Sequence, residues 1–317
     1  MISTRHVWID TDMGFDDLAA IVTVAARPDF AIGGVSLVAG NAALPAVTEN
    51  AVRAAECFRW TMPLHAGRAR PLIGPPIDAA YVHGDSGMIS AGRVLPPAQV
   101  HRAVPDDAVE AMAAWLAGIE SRRDILALGP LTNIAELLLA HPQAARQIDR
   151  LVWMGGSLGP GNHTSAAEFN AAADPEAAEI VLRAGLNLQM IDLEICRKVR
   201  IGLGDVAVLR RIGGERALLL ADLMEGYVRI ASPDGSAPMS LYDPVAAVAL
   251  LEPDCFSFDA AFIQVELAGT LTRGMTVAER RPHRIPAGAT RTGFAATVQA
   301  EQVRRMVLNA LAGAAKA

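Results

Sequence analysis

Short apolar runs alternate with amphipathic stretches along most of this chain. The apolar runs have the length of buried strands and lie at residues 7–9, 31–38, 63–66, 124–128, 150–154 and 187–191, with two later ones at 261–267 and 275–279. Apolar residues spaced three or four apart predict helices between them, at 16–26, 46–60, 106–119, 132–140, 174–185, much of 204–230, 243–251 and 301–312. This alternation predicts an α/β fold with a mostly parallel central sheet flanked by helices.

Two stretches rich in glycine and proline interrupt the pattern. Residues 67–105 are predicted to form a long irregular segment over one face, with His83 near its middle, and residues 232–240 a second mobile loop. Long loops without secondary structure are often functional. Since no linker or repeat divides the chain, we expect one domain spanning residues 1–317.

Composition narrows the class of protein. Hydrophobic residues make up 52% of the 317 residues, and the net charge of −6 argues against a nucleic-acid-binding surface. The three cysteines are widely separated, which is typical of a reducing cytoplasm rather than of a disulfide framework. No apolar run is long enough to span a membrane, so we expect a cytoplasmic protein without a membrane partner.

Four carboxylates lie close together where the first strand gives way to the first helix. Asp10, Asp12, Asp16 and Asp17 fall within eight residues, so their mutual repulsion needs a cation, shared protons or hydrogen-bond donors. Oxygen ligands of this kind suit a hard cation such as Ca²⁺ or Mg²⁺. Taken singly, Asp10 could be a structural acid and Asp16 a helix cap, but four together favour a functional site.

Other polar clusters follow the ends of predicted strands. They lie at Asn41 and at residues 128–133 and 154–170. Ligands of parallel sheets bind outside the carboxyl ends of strands, so we expect these clusters to converge on one active site.

Several of these side chains also allow a purely structural interpretation. Glu168 and Asn170 could recognise vicinal hydroxyls or could satisfy their own loop backbone. His83 could contact a substrate or be an ordinary loop histidine, and Asp243 could bind a metal or cap the helix that begins at Pro244.

Eight motifs in one order resemble the inosine-uridine-preferring type of nucleoside hydrolase across most of the chain. They are D-T-D-M-G-F-D-D at 10–17, G-N at 40–41, H-G-D-S-G at 83–87, G-P-L-T-N at 129–133, W-M-G-G at 153–156, G-N-H-T-S-A-A-E-F-N at 161–170, D-P-E-A-A at 174–178 and D-P at 243–244. The resemblance implies Ca²⁺-dependent hydrolysis of ribonucleosides to ribose and free purine or pyrimidine base. It also implies a homo-oligomer, either a dimer or a tetramer.

The resemblance assigns roles to individual residues. It implies Ca²⁺ ligands at Asp12, Asp17, the backbone carbonyl of Leu128 and Asp243, with Asp12 also acting as general base toward a metal-bound water. Asp10 would orient this cluster. The residues implied to bind the ribose are Asp16, Asn41, Asn162, Glu168 and Asn170, with Met154 packing beneath the sugar.

Two segments depart from the resemblance, and both concern the departing base. Many family members carry histidine immediately before the last metal-binding aspartate, where this chain has Tyr242. Tyr242 would stack on the base or donate a hydrogen bond to it, and His83 would contact or protonate it. Relatives often read L-D-L-T-H where this chain reads L-E-I-C-R at residues 193–197.

Three alternatives compete with this hypothesis. A phosphohydrolase of the haloacid-dehalogenase type also begins with D-x-D, but it needs a phosphate-binding lysine and the only lysines here are Lys198 and Lys316. The departures also allow a binding protein for ribosyl ligands that catalyses nothing, or a hydrolase of an unusual ribosyl substrate.

Overall fold

Nine strands form one central sheet in the computed structural model, which describes residues 4–100, 102–119, 121–281 and 283–316. Two further strands, β7 and β8, pair as a separate antiparallel ribbon. The strands are β1 (Arg5–Thr11), β2 (Phe30–Leu37), β3 (Leu64–Ala66), β4 (Arg123–Ala127), β5 (Arg150–Met154), β6 (Leu188–Ile191), β7 (Arg200–Ile201), β8 (Met239–Ser240), β9 (Phe256–Val265), β10 (Thr276–Glu279) and β11 (Arg291–Val298).

Helices cover both faces of this sheet. They are α1 (Phe15–Ala25), α2 (Leu44–Cys57), α3 (Ala80–His83), α4 (Ala108–Gly118), α5 (Thr132–Ala140), α6 (Pro142–Ala145), α7 (Phe169–Ala173), α8 (Pro175–Arg183), α9 (Leu193–Cys196), α10 (Leu203–Ile212), α11 (Glu215–Ala231), α12 (Asp243–Leu251) and α13 (Ala300–Lys316), with a 3-10 turn at Pro253–Cys255. Side chains of a strand alternate between faces. Val7 and Ile9 therefore join the core under α1, α12 and α13, whereas Trp8 joins the core under α4 and α5.

The strand order places a crevice at the middle of the sheet. The order is β10-β9-β11-β6-β5-β4-β1-β2-β3, and each of the six adjacent pairs between β11 and β3 in this order is parallel. From β1 the chain winds outward through β2 to β3, then returns to β4 on the other side of β1. Ligands of such sheets bind at this switch point, outside the carboxyl ends of the two central strands. Asp12 follows β1 there, and Leu128 follows β4.

The prediction of a single-domain α/β fold with a mostly parallel sheet is confirmed, and the differences lie at its edge. β9 begins at Phe256 rather than at 261 and runs antiparallel to both β10 and β11. The pattern of apolar positions does not predict β11, because its sequence R-T-G-F-A-A-T-V contains few large apolar residues and resembles a loop. The predicted loop at 232–240 ends in β8, which pairs with β7.

Residues 67–105 are irregular as predicted, apart from the single turn α3, over the part that the structure describes. All three cysteines are free thiols. Among the described residues, no helix combines the length and hydrophobicity needed to cross a bilayer.

Candidate active site

Asp17 holds together the turn between β1 and α1. Its carboxylate accepts hydrogen bonds from the backbone N–H of Gly14 at 2.8 Å and of Asp12 at 3.2 Å, and from the Thr11 hydroxyl. The Asn41 amide donates to it as well, at 3.2 Å. Met13 in this turn has a φ of +46°, a conformation that costs a non-glycine residue about 1–3 kcal/mol. The donors that converge on Asp17 keep this strained turn in place.

Four buried carboxylates meet at the carboxyl ends of β1 and β4. Carboxylate oxygens of Asp16, Asp17 and Asp243 all lie within 4.8 Å of one another. Asp12 lines the same cavity but is not part of that trio. Its Oδ2 accepts the backbone N–H of Asn41 at 2.8 Å. The structure therefore brings the predicted ligands Asp17 and Asp243 together with Asp16, which was predicted to bind the sugar, and places Asp12 on the wall of the same cavity.

Burial makes the charged forms of these acids costly. It raises the pKa of Asp12 and of Asp243 well above the ordinary range, and the neighbouring charge of Asp17 raises both further. Burial, followed by the Asp17 charge, raises the pKa of Asp16 to about 7. The buried Oδ1 of Asp16 has no hydrogen-bond partner in the part of the chain that the structure describes. Such a cluster, made only of oxygen donors, fits a hard dication that would favour the charged forms.

Asp10 lies behind the cavity rather than on its wall. Its Oδ1 accepts hydrogen bonds from the Ser36 hydroxyl and, at 2.8 Å, from the Asn133 amide, while Trp8 donates to Ser36 at 2.9 Å. Burial raises the pKa of Asp10 to about 7. These contacts fit the predicted role of Asp10 in orienting the cluster, which stays a prediction.

The loop between β5 and α7 supplies the other side of the cavity. The Glu168 carboxylate caps α7, accepting backbone N–H groups of Asn170 at 2.8 Å, Ala171 at 3.0 Å and Gly156 at 2.7 Å. The Asn170 amide donates to the carbonyls of Leu128 at 2.7 Å and Met154 at 2.9 Å. Both side chains thus satisfy backbone groups, as the structural interpretation predicts, and both line the cavity, whereas their recognition of hydroxyls stays a prediction.

His83 and Tyr242 approach the cavity from separate elements. His83 ends α3, and Tyr242 immediately precedes α12. Burial lowers the pKa of His83, so its imidazole is mostly neutral at pH 7, and burial raises the pKa of Tyr242 to about 12. Both side chains therefore enter the cavity at neutral pH as uncharged hydrogen-bonding groups.

Twelve residues line this cavity, and eleven of them are predicted site residues. The lining is Asp12, Asp16, Asn41, His83, Leu128, Met154, Asn162, Glu168, Phe169, Asn170, Tyr242 and Asp243. Of the predicted set, Asp17 is the one described residue that does not line it, and both of its oxygens accept hydrogen bonds from the turn before α1.

Sequence reasoning missed two residues at the site. Phe169 lines the cavity and stands inside the E-F-N motif, where its position beside Glu168 and Asn170 was a usable signal. Tyr227 on α11 donates to the Ser240 carbonyl at 2.8 Å and lies 3.3 Å from Asp16 Oδ2. Nothing in the local sequence indicates that second contact, because it joins residues 211 positions apart.

Three aromatic rings stand beside the cavity. The Tyr81 hydroxyl lies 3.3 Å from Nδ1 of His163, and the His163 ring packs edge-on against Phe169 with centroids 5.6 Å apart. These contacts connect the turn that carries His83 to the loop that carries Asn162.

Much of the irregular segment at residues 67–105 is fastened to the body of the protein. Asp222 on α11 accepts the backbone N–H of Arg93 at 2.9 Å and its guanidinium at 3.0 Å, and Glu56 accepts the backbone N–H groups of Gln99 and Val100. The Asn50 amide donates to the Ser86 carbonyl at 2.7 Å, and the backbone N–H of Leu72 donates to Asp174 at 2.9 Å, so the segment is anchored on both sides of His83.

A larger groove lies elsewhere on the surface, with a volume of about 620 Å³ between α1, β2 and α13. Its lining includes Phe58, Trp60 and Met62, and among the described residues its only charged members are Arg59 and Arg216. Because none of these described side chains is a carboxylate, the groove does not resemble a site for a hard cation.

Comparisons with known proteins agree on one relationship. Residues 7–305 match the family described as inosine-uridine preferring nucleoside hydrolase. The non-specific ribonucleoside hydrolase RihC of Salmonella paratyphi B is 36% identical over 284 residues, covering 88% of this chain and 89% of the relative. A plant nucleoside hydrolase, the PpNRh1 enzyme, superposes with a TM-score of 0.87 at 26% identity, covering 97% of this chain and 99% of that one. The fold is also that of a purine-preferring ribonucleoside hydrolase from Gardnerella vaginalis, with a TM-score of 0.88 at 23% identity over 98% of this chain and 99% of that one.

Proposed function

Because this chain belongs to the inosine-uridine preferring nucleoside hydrolase family and is therefore an N-ribohydrolase, we propose that it hydrolyses ribonucleosides with a bound Ca²⁺ and with Asp12 as general base. The products are ribose and a free purine or pyrimidine base. The observation that carries the proposal is the convergence of the buried carboxylates with the amide-bearing loop of Asn162 and Asn170 in one cavity.

The residues at the cavity fit a dication. Asp12, Asp17, the carbonyl of Leu128 and Asp243 would hold it, and each offers oxygen, the ligand atom that Ca²⁺ prefers. The unpartnered Oδ1 of Asp16 points to the same need for positive charge. When bound, the ion would orient the ribose hydroxyls and make water more acidic.

We propose that Asp12 acts on the attacking water. The Asn41 backbone N–H holds one of its oxygens, Oδ2, at 2.8 Å, so the carboxylate has a defined orientation. As general base, Asp12 accepts a proton from the water that attacks the anomeric carbon. The N-glycosidic bond breaks as positive charge develops on the ribose, and the surrounding carboxylates and amide oxygens stabilise that charge.

Asp16, Asn41, Asn162, Glu168 and Asn170 would bind the sugar, with Met154 beneath it. The Asn170 amide is held by two carbonyls, so its oxygen is directed away from them and is available to a hydroxyl. Fixed acceptors of this kind pay little reorganisation cost on binding, which favours a ribose with free hydroxyls as the recognised group.

His83 and Tyr242 would assist the departing base by hydrogen bonding. A phenol with a pKa of about 12 gives up its proton poorly at neutral pH, and a neutral imidazole can still donate one N–H. Both would therefore stabilise the departing base by donating hydrogen bonds, without fully transferring a proton to it. This arrangement accommodates purines and pyrimidines alike, and it also leaves room for an unusual ribosyl substrate.

The test is release of free base from a panel of purine and pyrimidine ribonucleosides. We expect cleavage in the presence of Ca²⁺, loss of activity with a chelator, and recovery when Ca²⁺ is restored. Asp12→Asn, which keeps the shape of the side chain and removes the base, should lower kcat by about 10²–10⁴-fold. Full activity of the metal-free protein would refute the Ca²⁺ assignment, and an active Asp12→Asn variant would refute the role of Asp12.

Three further expectations complete the proposal. We propose that residues 1–317 act as one catalytic domain, that the enzyme works in the cytoplasm, and that it assembles as a homo-oligomer. Sedimentation at working concentration would distinguish a monomer from a dimer or tetramer.

A further inference from the structure

The L-E-I-C-R segment, residues 193–197, is hydrogen-bonded to the loop that follows β5. The Arg197 guanidinium donates to the carbonyl of Pro160 through one terminal nitrogen at 2.8 Å and to that of Gly161 through the other at 2.9 Å. The first nitrogen also donates to Glu194 Oε1 at 2.6 Å. The planar fork of arginine is the side chain that can hold two neighbouring carbonyls in a fixed geometry.

Asp192 and Leu193, where this segment begins, hold the earlier part of the loop. The backbone N–H of Leu193 donates to the Gly156 carbonyl at 3.1 Å, and Asp192 accepts the backbone N–H of Leu158 at 3.1 Å. Gly159 packs against Glu194 so closely that a Cβ there would lie 2.7 Å from its Cδ. The loop is therefore attached to residues 192–197 at Gly156, at Leu158 and from Gly159 to Gly161.

This loop leads directly into the sugar side of the cavity. Gly161 donates to the Ser165 carbonyl at 3.1 Å, and Asn162 follows it, with its Oδ1 accepting the backbone N–H of Phe169 at 2.9 Å. A shift at Pro160 and Gly161 would therefore carry Asn162 with it and disturb Phe169, which lines the cavity.

We infer that Arg197 is a positioning residue that sets the sugar-binding loop through its two-point grip on Pro160 and Gly161. The inference rests on the proposed ribonucleoside hydrolysis for its kinetic consequences. Arg197 does not line the cavity and acts on the substrate only through Asn162 and its neighbours. Its positive charge also lies near Tyr242, which offers a competing explanation in which charge alone matters.

Two substitutions separate the grip from the charge. Arg197→Ala removes both, whereas Arg197→Lys keeps the charge and loses the planar fork. We expect each to raise KM for inosine and the Kd for ribose by about tenfold, the effect of losing one charge-assisted hydrogen bond, with kcat changed less than about threefold. Arg146→Ala is the matched control, because the exposed Arg146 side chain bonds to no described residue other than Gln143 and its loss should leave KM unchanged.

Hydrogen exchange supplies a readout that does not depend on turnover. In Arg197→Lys we expect faster exchange at residues 156–162 and unchanged exchange in β1 and β4. If Arg197→Lys has the wild-type KM and wild-type exchange, the inference that Arg197 positions the loop through its two hydrogen bonds is refuted. A wild-type KM in Arg197→Ala would refute it as well. If Arg197→Ala does not fold, Arg197→Lys decides the question alone. If the wild-type protein releases no base from any nucleoside, the proposed function fails, while the exchange experiment still tests the grip.

Discussion

Gly40 lies so close to Asp12 that an alanine there should displace the carboxylate that we propose as general base. A Cβ built on Gly40 would be 2.1 Å from Asp12 Oδ2, 2.9 Å from its Cγ and 3.0 Å from its Cβ. The backbone of Gly40 does not have the positive φ that favours glycine, so space alone excludes a side chain. Gly40→Ala therefore tests the position of Asp12 without changing any functional group.

The size of the effect follows from these distances. Ordinary contact begins at 3.4 Å, so Oδ2 must move by about 1.3 Å and release the backbone N–H of Asn41. A misplacement of about 1 Å costs about 10²-fold in rate, which corresponds to about 2.7 kcal/mol in the barrier. Overpacking of the buried site should also lower the free energy of unfolding by about 1–3 kcal/mol.

The assay is kcat/KM for inosine and uridine, together with thermal unfolding of each variant. Gly313→Ala is the control: Gly313 lies in α13, and no atom beyond its neighbours lies within 4 Å of the added Cβ. This control should keep full activity and gain up to about 1 kcal/mol of stability, because alanine favours helix over glycine. A folded Gly40→Ala protein with kcat/KM within threefold of wild type would refute the reasoning.

Two other predictions concern the base and the loop. Tyr242→Phe keeps the aromatic ring and removes the hydroxyl donor, so kcat for inosine should fall about tenfold. p-Nitrophenyl riboside has a leaving group that needs no hydrogen bond, so the variant should cleave it at the wild-type rate. Equal losses of kcat on both substrates would contradict a role of Tyr242 toward the base. Burial raises the pKa of Glu168 from 4.5 to about 7. The raised pKa therefore stabilises the folded protein below pH 4.5, and this stabilisation is lost as pH rises to about 7. Between pH 4.5 and 7.5, the free energy of unfolding measured with a chemical denaturant should decline less in Glu168→Gln than in wild type. Identical pH profiles of the two proteins would count against the raised pKa of Glu168.

Local sequence determined the acid cluster and much of the fold. Asp12, Gly14 and Asp17 are bonded within the six residues from 12 to 17, so the turn they form follows from neighbouring residues. The apolar periods located most strands and helices, since a strand buried on both faces and an amphipathic helix each carry a recognisable spacing. The parallel order then implied that the strand ends converge, as they do.

Only the tertiary structure decided which groups meet across long separations. Asp243 joins Asp16 and Asp17 because α12 packs against α1, and Tyr227 reaches Asp16 from α11. The Arg197 grip depends on how the chain after β6 lies beside the loop after β5, and β11 is a strand because β6 and β9 pair with it. Spacing along a sequence determines which face a side chain takes within its own element, whereas contacts between elements depend on the packing of the whole core.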